Sequence, residues 1–318
     1  MNDPFSWAAG LVHEHLVIPA LYALDLMAWE DTGYTFALLA LYGAAQVAAM
    51  LAICVPLERL RPVERWEDHG VVWTDVLYTL IARMGLLPLL AFVVFRDVQA
   101  TLEGFLLDHG FVPPTLEMLV PWLAGAPLVS FALYVVIFDF TDYWRHRLQH
   151  AVGWWWALHS VHHSQAQMTF WTDDRNHVLD DLISIVWFGA VALLIGIPPM
   201  QFPLVVLALR LIESLSHANA RLHFGLVGER LLVSPRFHRA HHGIRAAGRR
   251  SVNFGAILPV WDIIFGTADF DRDFAARTGD PTADAAMVRG SWLAQQWSGI
   301  RRLAGSWARR RAPAPRRR

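Results

Sequence analysis

The fold of this chain is constrained most by four long runs of apolar residues that are almost free of charge. Three of the runs contain no charged residue and the fourth contains one arginine; they are Tyr34–Leu57, Met118–Phe138, Leu182–Leu209 and Val76–Phe95. The first run has 24 residues, and a helix of that length is about 36 Å long, enough to cross a bilayer. One such run fits a buried helix of a soluble protein, but four predict an all-α integral membrane protein.

The run at 182–209 is interrupted by three prolines, Pro198, Pro199 and Pro203. Proline breaks the hydrogen bonding of a helix interior. Two full spans need about 40 residues, and this run is shorter. We therefore predict a hairpin of two short helical arms here, and about four transmembrane helices or helical arms in the whole chain.

Arginine placement predicts the orientation of these helices. All 27 basic residues are arginine; residues 1–33 contain none, whereas the loop after the first run contains three and residues 285–318 contain nine. Because basic residues favour the cytosolic side, that loop and the C-terminus are expected to face the cytosol. The resulting organisation is an interfacial segment at 1–33, transmembrane helices at 34–138, a histidine-rich region with the hairpin at 139–270 and a basic tail at 271–318.

Ten of the fifteen histidines fall into two short segments. His146 and His150 are four residues apart, and the triplets within 159–163 and 238–242 both have the pattern H-x-x-H-H. Residues three and four apart share one face of a helix, so each group directs its imidazoles to a common point. Neutral imidazole is a good ligand for iron, zinc and copper, and eight imidazoles exceed the ligand shell of one ion. The pattern therefore predicts a dinuclear metal centre.

Residues around the first histidines are expected to support this centre. Asp142 is one turn before His146 and is predicted to accept the second ring N–H of that histidine. Three consecutive tryptophans at 154–156 are typical of an interfacial belt. The single cysteine, Cys54, excludes a cysteine-based zinc or iron–sulfur site.

Five segments carry a resemblance to a known family: 139–150 (DFTDYWRHRLQH), 156–164 (WALHSVHHS), 216–219 (SHAN), 234–243 (SPRFHRAHHG) and 253–267 (NFGAILPVWDIIFGT). In this order, over roughly residues 131–268, they resemble the fatty acid hydroxylase superfamily, also called the sterol desaturase family. They are most similar to its bacterial, alkylglycerol-monooxygenase-like branch. The resemblance implies a multi-pass membrane protein whose cytosolic, histidine-rich helical cap holds a non-haem di-iron centre. It also implies hydroxylation or desaturation of a lipid with O2 and electrons from another protein.

By the same resemblance, ten histidines are expected to bind the metal ions: His146, His150, His159, His162, His163, His177, His217, His238, His241 and His242. His177 follows Arg175-Asn176, which is similar to the family's Arg-x-His, and it is preferred to His223 as the tenth ligand. Asn253 and Asp262 match family positions and are expected to support the cap rather than to bind metal.

Two other functions are compatible with a histidine-rich membrane protein. A metal transporter needs ionisable groups in the middle of the membrane, yet three of the four runs contain neither charge nor histidine. A zinc-dependent hydrolase needs an open zinc site with a carboxylate base, for which Glu213 is the closest candidate. We predict instead an O2-dependent oxidoreductase with two iron ions, which zinc can replace in the purified protein.

The expected partners follow from what the chain does not encode. It has no dinucleotide-binding or haem-attachment motif, so electrons are expected from a separate reductase, ferredoxin or cytochrome b5-like protein. The substrate is expected to be a membrane lipid, without any nucleic-acid partner; the lipid and the oxidised carbon stay open. The tail ends in Ala-Pro-Ala-Pro and is expected to be disordered, or to anchor on anionic lipids where Trp292 and Trp297 precede Arg301 and Arg302.

Overall fold

The structure, a computed structural model, describes residues 4–197, 202–244, 250–271, 273–274 and 277–311. Within these ranges the secondary structure is helical, without a β-strand, which confirms the predicted all-α class. The helices of the first half are α1 (Pro4–Val12), α2 (Ile18–Ala23), α3 (Glu30–Leu60), α4 (His69–Arg83), α5 (Leu86–Asp108), α6 (Leu116–Leu119), α7 (Pro127–Ala151) and α8 (Gly153–His159). Those of the second half are α9 (Val178–Leu194), α10 (Phe202–His217), α11 (Gly225–Gly228), α12 (Pro235–His242), α13 (Val260–Ile264), α14 (Ala285–Arg289) and α15 (Trp292–Arg311).

The first predicted span is confirmed as a helix. Together with the turn before it, α3 forms a helical stretch of 34 residues, Met27–Leu60, which contains an 18-residue window with a mean hydropathy of 2.1. In the described part of the chain, this is the one single helix that is long and apolar enough to cross a membrane. α4 and α5 pass the same test only as a pair, bent by 44°. The number of four spans is therefore not confirmed and stays a prediction.

The second predicted span, Val76–Phe95, is wrong as one straight helix. Gly85 separates α4 from α5 and has a φ of 86°, in the left-handed region that residues with a Cβ rarely adopt. The break places Arg83 at the end of α4, where it is 6% exposed. The one charge in this run is thus buried in the protein rather than presented to lipid.

The run at Met118–Phe138 also begins differently from the prediction. Its first residues form α6 and a short turn at Pro121–Gly125, and the long helix α7 begins only at Pro127. Proline is favoured in the first turn of a helix, where its missing N–H has no partner to lose. α7 then continues to Ala151, so one helix carries both the apolar end of this run and the first two histidines.

Two helices, α9 and α10, stand where the hairpin is predicted, and the bend with Pro198 and Pro199 lies outside the described residues. Both helices pack against α7 around a buried cluster of Tyr134, Phe138 and Val205. These three helices form one side of the histidine-rich region.

The long helix α5 presents large apolar side chains to its surroundings. Leu86 is 53% exposed, Val94 50%, Val98 65% and Phe105 56%. A continuous exposed apolar surface of this kind marks a contact with lipid or with another protein. It agrees with the membrane-protein class predicted from the apolar runs.

The expectation of a disordered basic tail is wrong as far as residue 311. α14 and α15 fold back onto the histidine-rich region, and Met287 of α14 is fully buried. Arg302 forms an ion pair with Asp280 at 2.7 Å. Because α14 packs on α4 and α15 packs on α8, this part of the chain belongs to the histidine-rich region. The Ala-Pro-Ala-Pro ending lies outside the described residues.

Candidate metal centre

Four helices (α7, α8, α10 and α12) and one turn carry the clustered histidines. α7 carries His146 and His150 one turn apart, α8 ends at His159, and a short turn at His162–Ser164 follows. α12 carries the second triplet and begins at a proline after Ser234, whose side chain accepts a hydrogen bond from the Phe237 amide. A serine cap followed by proline is a strong helix start, so this short helix is well defined by its own sequence.

The histidines form two adjacent groups, each suited to one metal ion. Within each group, one ring nitrogen per histidine lies within 4.8 Å of every other. The first group consists of His146, His150, His159, His163 and His241, and the second consists of His162, His217, His238 and His242. The neighbours His162 and His163 belong to different groups, and so do His241 and His242. Each H-x-x-H-H triplet therefore contributes to both groups, which sets the two candidate positions side by side.

Hydrogen bonds to backbone carbonyls fix the tautomer of three rings. Nδ1 of His146 lies 2.9 Å from the Phe254 oxygen, Nδ1 of His241 lies 2.7 Å from the Val252 oxygen, and Nδ1 of His217 lies 2.8 Å from the Glu213 oxygen. A carbonyl oxygen only accepts, so each ring donates through Nδ1–H. Nε2 of each ring is then unprotonated, which is the form that binds a metal ion.

The inward-facing nitrogens lack partners that the protein alone can supply. Nε2 of His146, His150 and His159 is buried without a hydrogen bond. Nε2 of His217 lies 2.9 Å from Nε2 of His238, and Nε2 of His241 lies 3.1 Å from Nε2 of His163. Two lone pairs at such distances repel each other unless a cation or a proton lies between them. The donor set therefore fits two metal ions with imidazole ligands.

Burial keeps these imidazoles neutral. Loss of solvation, followed by repulsion from neighbouring histidines, lowers the pKa of six rings well below the usual 6.5: those of His146, His150, His162, His163, His238 and His242. A metal ion binds the unprotonated ring. The site is thus in its ligand form at neutral pH.

The segment 252–267 holds the first group in place. The carboxylate of Asp262 accepts hydrogen bonds from the amides of Phe254 and Gly255, at 2.9 and 2.8 Å. Asn253 has a φ of 59°, and its side-chain amide donates to the Phe237 carbonyl at 2.8 Å. Asn253 and Asp262 thus fix the carbonyl groups that orient His146 and His241, and neither belongs to the two histidine groups.

The predicted contact between Asp142 and His146 is wrong. The His146 ring donates to the Phe254 carbonyl, while Asp142 pairs with the Arg145 guanidinium at 2.5 Å. Asp180 is instead a carboxylate that hydrogen-bonds to a clustered histidine, with Oδ2 at 3.1 Å from Nδ1 of His159. Asp180 is 2% exposed. Sequence reasoning missed it because it stands 21 residues after His159, at the start of an apolar run.

The tryptophans at 154–156 do not form a simple interfacial belt. Trp155 is buried and donates from its indole N–H to Asp180 at 2.7 Å. The Trp156 ring lies 4.8 Å from the ring of His150, between their centroids. Both side chains therefore belong to the scaffold of the site, because they restrict Asp180 and His150.

The tenth predicted ligand, His177, does not join either group. Its Nδ1 accepts a hydrogen bond from the Leu179 amide at the start of α9, and its Nε2 donates to the Gln296 carbonyl at 3.0 Å. Both ring nitrogens are thus engaged in joining α9 to α15. The alternative, His223, is exposed and accepts from the Gly225 amide. The structure assembles the other nine predicted histidines.

A cavity of about 240 Å³ adjoins both histidine groups. His146, His159 and His217 line one end, together with His162 and His238. The walls come from α7, α9, α10 and the junction of α4 with α5, and they include Leu87, Phe138, Phe188, Val206 and Leu209. An apolar cavity that ends at candidate metal ligands can position a hydrocarbon chain for reaction.

The chain is similar to known lipid-modifying enzymes. Residues 131–267 match the family model described as "Fatty acid hydroxylase". The chain is 28% identical over 222 residues to ornithine lipid hydroxylase OlsE of Rhizobium tropici, a match that covers 68% of this chain and 64% of that protein. It is 28% identical to alkylglycerol monooxygenase of Homo sapiens, covering 63% of this chain and 42% of that protein. It is 25% identical to methylsterol monooxygenase 1-3 of Arabidopsis thaliana, over 55% of this chain and 63% of that protein.

The chain thus covers less than two thirds of the length of each of these relatives. No solved structure shows a significant match.

Proposed function

Because the chain belongs to the fatty acid hydroxylase family, we propose that it is a membrane-bound non-haem di-iron oxygenase acting on a lipid. The observation that carries this proposal is the pair of adjacent histidine groups that adjoin one cavity. The relatives named as hydroxylases and monooxygenases support the reaction class.

The nine clustered histidines would hold two iron ions, one in each group. When bound, the two ions supply the capacity to reduce O2 and to attack an unactivated C–H bond. In hydroxylation, one oxygen atom enters the C–H bond and the other leaves as water, with two electrons and two protons taken up. In desaturation, two hydrogen atoms leave the chain and both oxygen atoms leave as water, again with two electrons and two protons taken up. The electrons would come from a separate reductase, ferredoxin or cytochrome b5-like protein.

The residues of this chain orient the rings and exclude water. Asp180 and the carbonyl groups of Phe254 and Val252 hold three imidazoles in fixed tautomers. The Phe254 ring packs beside His146 and His150, with 5.8 and 5.2 Å between ring centroids. An apolar side chain at this place limits the access of water, which protects a reactive oxidant from side reactions.

The proposed setting is the cytosolic face of a bacterial inner membrane, with several helices in lipid. The histidine cap and the C-terminus would lie in the cytosol, as the arginine distribution indicates. On α15, Trp297 and Leu293 are 62% and 71% exposed and are proposed to rest in the interface of anionic lipids.

The alternative functions gain no specific support. A catalytic zinc site uses three protein ligands and a water molecule, whereas nine histidines converge here. Glu213, the candidate base of a hydrolase, lines the cavity. It lies one helical turn before His217, which belongs to one of two adjacent histidine groups rather than to a single zinc site. The transporter hypothesis is not favoured because the histidines are gathered in one buried cluster.

The test combines metal content with lipid chemistry. We expect protein purified without oxygen and supplied with ferrous iron to hold two iron ions per chain. Lipids of host cells with and without the protein should then differ by species 16 mass units heavier or 2 lighter. His162→Ala should abolish that difference, whereas His109→Ala, at an exposed position on another segment, should leave it unchanged.

Zinc content alone would not decide the outcome, because zinc can occupy a histidine site during purification. An unchanged lipid profile with His162→Ala, in protein that holds no iron, would overturn the proposal.

A further inference from the structure

The short helix α13 presents isoleucines to its surroundings and buries its one charge. Ile263 is 44% exposed and Ile264 is 61% exposed, whereas Asp262 is fully buried. Asp262 is also the one charged residue between Phe254 and Ala268 in the sequence. Water favours the opposite arrangement, with charges outside and isoleucines inside. The outer side of α13 therefore suits an apolar environment.

Contacts with α7 place α13 at the end of an apolar run. The indole N–H of Trp261 donates to the Asp139 carboxylate at 2.9 Å. The Trp261 ring packs on the Phe140 ring, with 4.8 Å between the two centroids. Asp139 and Phe140 follow directly on the apolar run Met118–Phe138. α13 thus packs on α7 at the level where this run gives way to the histidine-rich region.

The same face of α7 is exposed within the apolar run. Leu133 is 39% exposed. Phe140 comes seven residues after it and Trp144 four residues later, so all three lie on one face of the helix. The Phe265 ring, directly after α13, packs against Phe140 and Trp144 at 6.4 and 4.9 Å between centroids. α13 therefore covers the continuation of the face that presents Leu133 to its surroundings.

The side chains around α13 have the order that is typical of a membrane interface. Trp144 and Trp261 are partly exposed. The guanidinium of Arg147 lies over the Trp144 ring, 5.2 Å from its centroid, and Arg147 is farther from the apolar run than Trp144. Tryptophan and arginine favour the headgroup region at the ends of membrane-spanning helices. α13 lies between the apolar run and Arg147, at the level expected for the boundary between acyl chains and headgroups.

We propose that α13 lies in the cytosolic leaflet of the membrane, with Ile263 and Ile264 among the acyl chains next to the headgroups. The proposal rests on the proposed function, since it takes the apolar run of α7 to lie in lipid. The exposed residues from α13 to the turn after it are Ile263, Ile264 and Gly266. They offer a protein partner neither charge nor a polar side chain, whereas hydrocarbon requires neither.

This contact concerns the candidate metal centre, because α13 belongs to the segment that orients clustered histidines. Asp262 of α13 accepts a hydrogen bond from the Phe254 amide at 2.9 Å, and the Phe254 carbonyl accepts one from the His146 ring. At 1.5 Å per residue, His146 lies about 9 Å beyond Phe140 along α7. With α13 at the boundary of the acyl chains, the first histidine group is held close to that boundary.

The test measures the depth of α13 with a fluorescent label on a single cysteine. Cys54→Ala removes the one cysteine of the chain, and Ile264→Cys in this background carries a bimane label in phosphatidylcholine nanodiscs. Quenching by lipids with a nitroxide on the acyl chain is compared with quenching by iodide in water. We expect strong quenching by the nitroxide lipids, weak quenching by iodide, and a depth of about 5–10 Å into the boundary between headgroups and acyl chains.

Two exposed positions on α7 calibrate the quenching. Leu133→Cys, in the apolar run, should be quenched by the nitroxide lipids. Ala151→Cys, at the exposed end of α7, should be quenched by iodide. Ile263→Cys repeats the measurement on α13, so that the result does not depend on one variant folding. Agreement of either α13 label with the label at position 133 supports the proposal.

Two results would overturn the proposal alone. In the first, the α13 labels are quenched by iodide as strongly as the label at position 151. In the second, they are shielded from both quenchers, which would show that protein covers α13. In both, quenching of the Leu133→Cys label by lipid would leave the membrane setting of α7 intact.

Quenching of the Leu133→Cys label by iodide would instead contradict the membrane setting of the proposed function, and the proposal for α13 would fall with it. The measurement uses neither iron nor O2. The depth of α13 is therefore determined whether or not the protein proves to be an oxygenase.

Discussion

Asp180 and His159 form a carboxylate–imidazole pair at the candidate metal centre, with 3.1 Å between Oδ2 of the aspartate and Nδ1 of the ring. The aspartate is itself held by Gln149 and Trp155. Such a pair fixes the ring orientation and makes the facing nitrogen a better metal ligand. Asp180 on α9 therefore joins α7 and α8 by hydrogen bonds and fixes the His159 ring.

Replacing Asp180 by asparagine is expected to weaken metal binding by about 10- to 100-fold, the usual effect of losing such a partner. Asp180→Asn keeps the size of the side chain but removes the charge that holds the His159 N–H. Competition with a chelator, followed by elemental analysis, measures the change. In contrast, Asp142→Asn should leave the affinity of folded protein near that of the parent, because Asp142 pairs with Arg145. Equal losses in both variants would contradict the assignment.

The two histidine groups are expected to lose their ions separately. His150→Ala removes a ligand of the first group and His238→Ala removes one of the second, so each variant should retain one tightly bound ion where the parent holds two. Elemental analysis after dialysis gives the number of ions per chain. His177→Ala serves as the control and should retain both ions, since neither of its ring nitrogens faces the groups. Loss of an ion from His177→Ala would show that His177 is a tenth ligand after all.

The contact between α15 and His177 can be tested at Gly299. A Cβ at this position would lie 2.4 Å from Cδ2 of the His177 ring, so Gly299→Ala forces the helix away from α9. We expect a loss of about 1–3 kcal/mol in stability, the usual cost of overpacking. Gly104→Ala, where a Cβ meets nothing within 4 Å, should instead gain up to about 1 kcal/mol from helix propensity. Thermal unfolding in detergent measures both; equal effects would show that α15 is not docked.

The local part of the metal centre could be predicted from the sequence. His146 and His150 share a helix face, and so do the members of each triplet, because the period of the helix is fixed. The same period could not show that His162 and His163 belong to different histidine groups. That division depends on where α10 and α12 meet the turn at 162–164, and hence on contacts between segments far apart in the chain.

The break at Gly85 and the docking of α15 were missed for related reasons. Apolar composition alone made Val76–Phe95 one span, although a single glycine with positive φ divides it. The tail with its Ala-Pro-Ala-Pro ending predicts disorder, yet Arg302 pairs with Asp280 and Met287 is buried. Both outcomes are set by tertiary contacts that override local composition.

Arg83 joins α4 to the cap through two buried ion pairs. Its guanidinium binds Asp173 and Asp174, at 2.6 Å each, and Asp173 lies 3.6 Å from Nδ1 of His217. The arginine thus pairs with two buried carboxylates, one of which stands beside a predicted ligand. It connects a helix of the apolar region to the second histidine group.

Arg83→Gln is expected to destabilise the protein by about 3–5 kcal/mol, because it removes the buried partner of Asp173 and leaves Asp174 with only the more distant Arg210, at 3.8 Å. Arg83→Lys keeps the charge but cannot bind both carboxylates with a planar fork, so an intermediate loss is expected. Arg96→Gln removes an arginine that is 45% exposed beside Asp97, and a change of at most about 1 kcal/mol is expected there. Unfolding midpoints in detergent rank the three variants. If Arg83→Gln unfolds like Arg96→Gln, the ion pairs do not hold α4 to the cap.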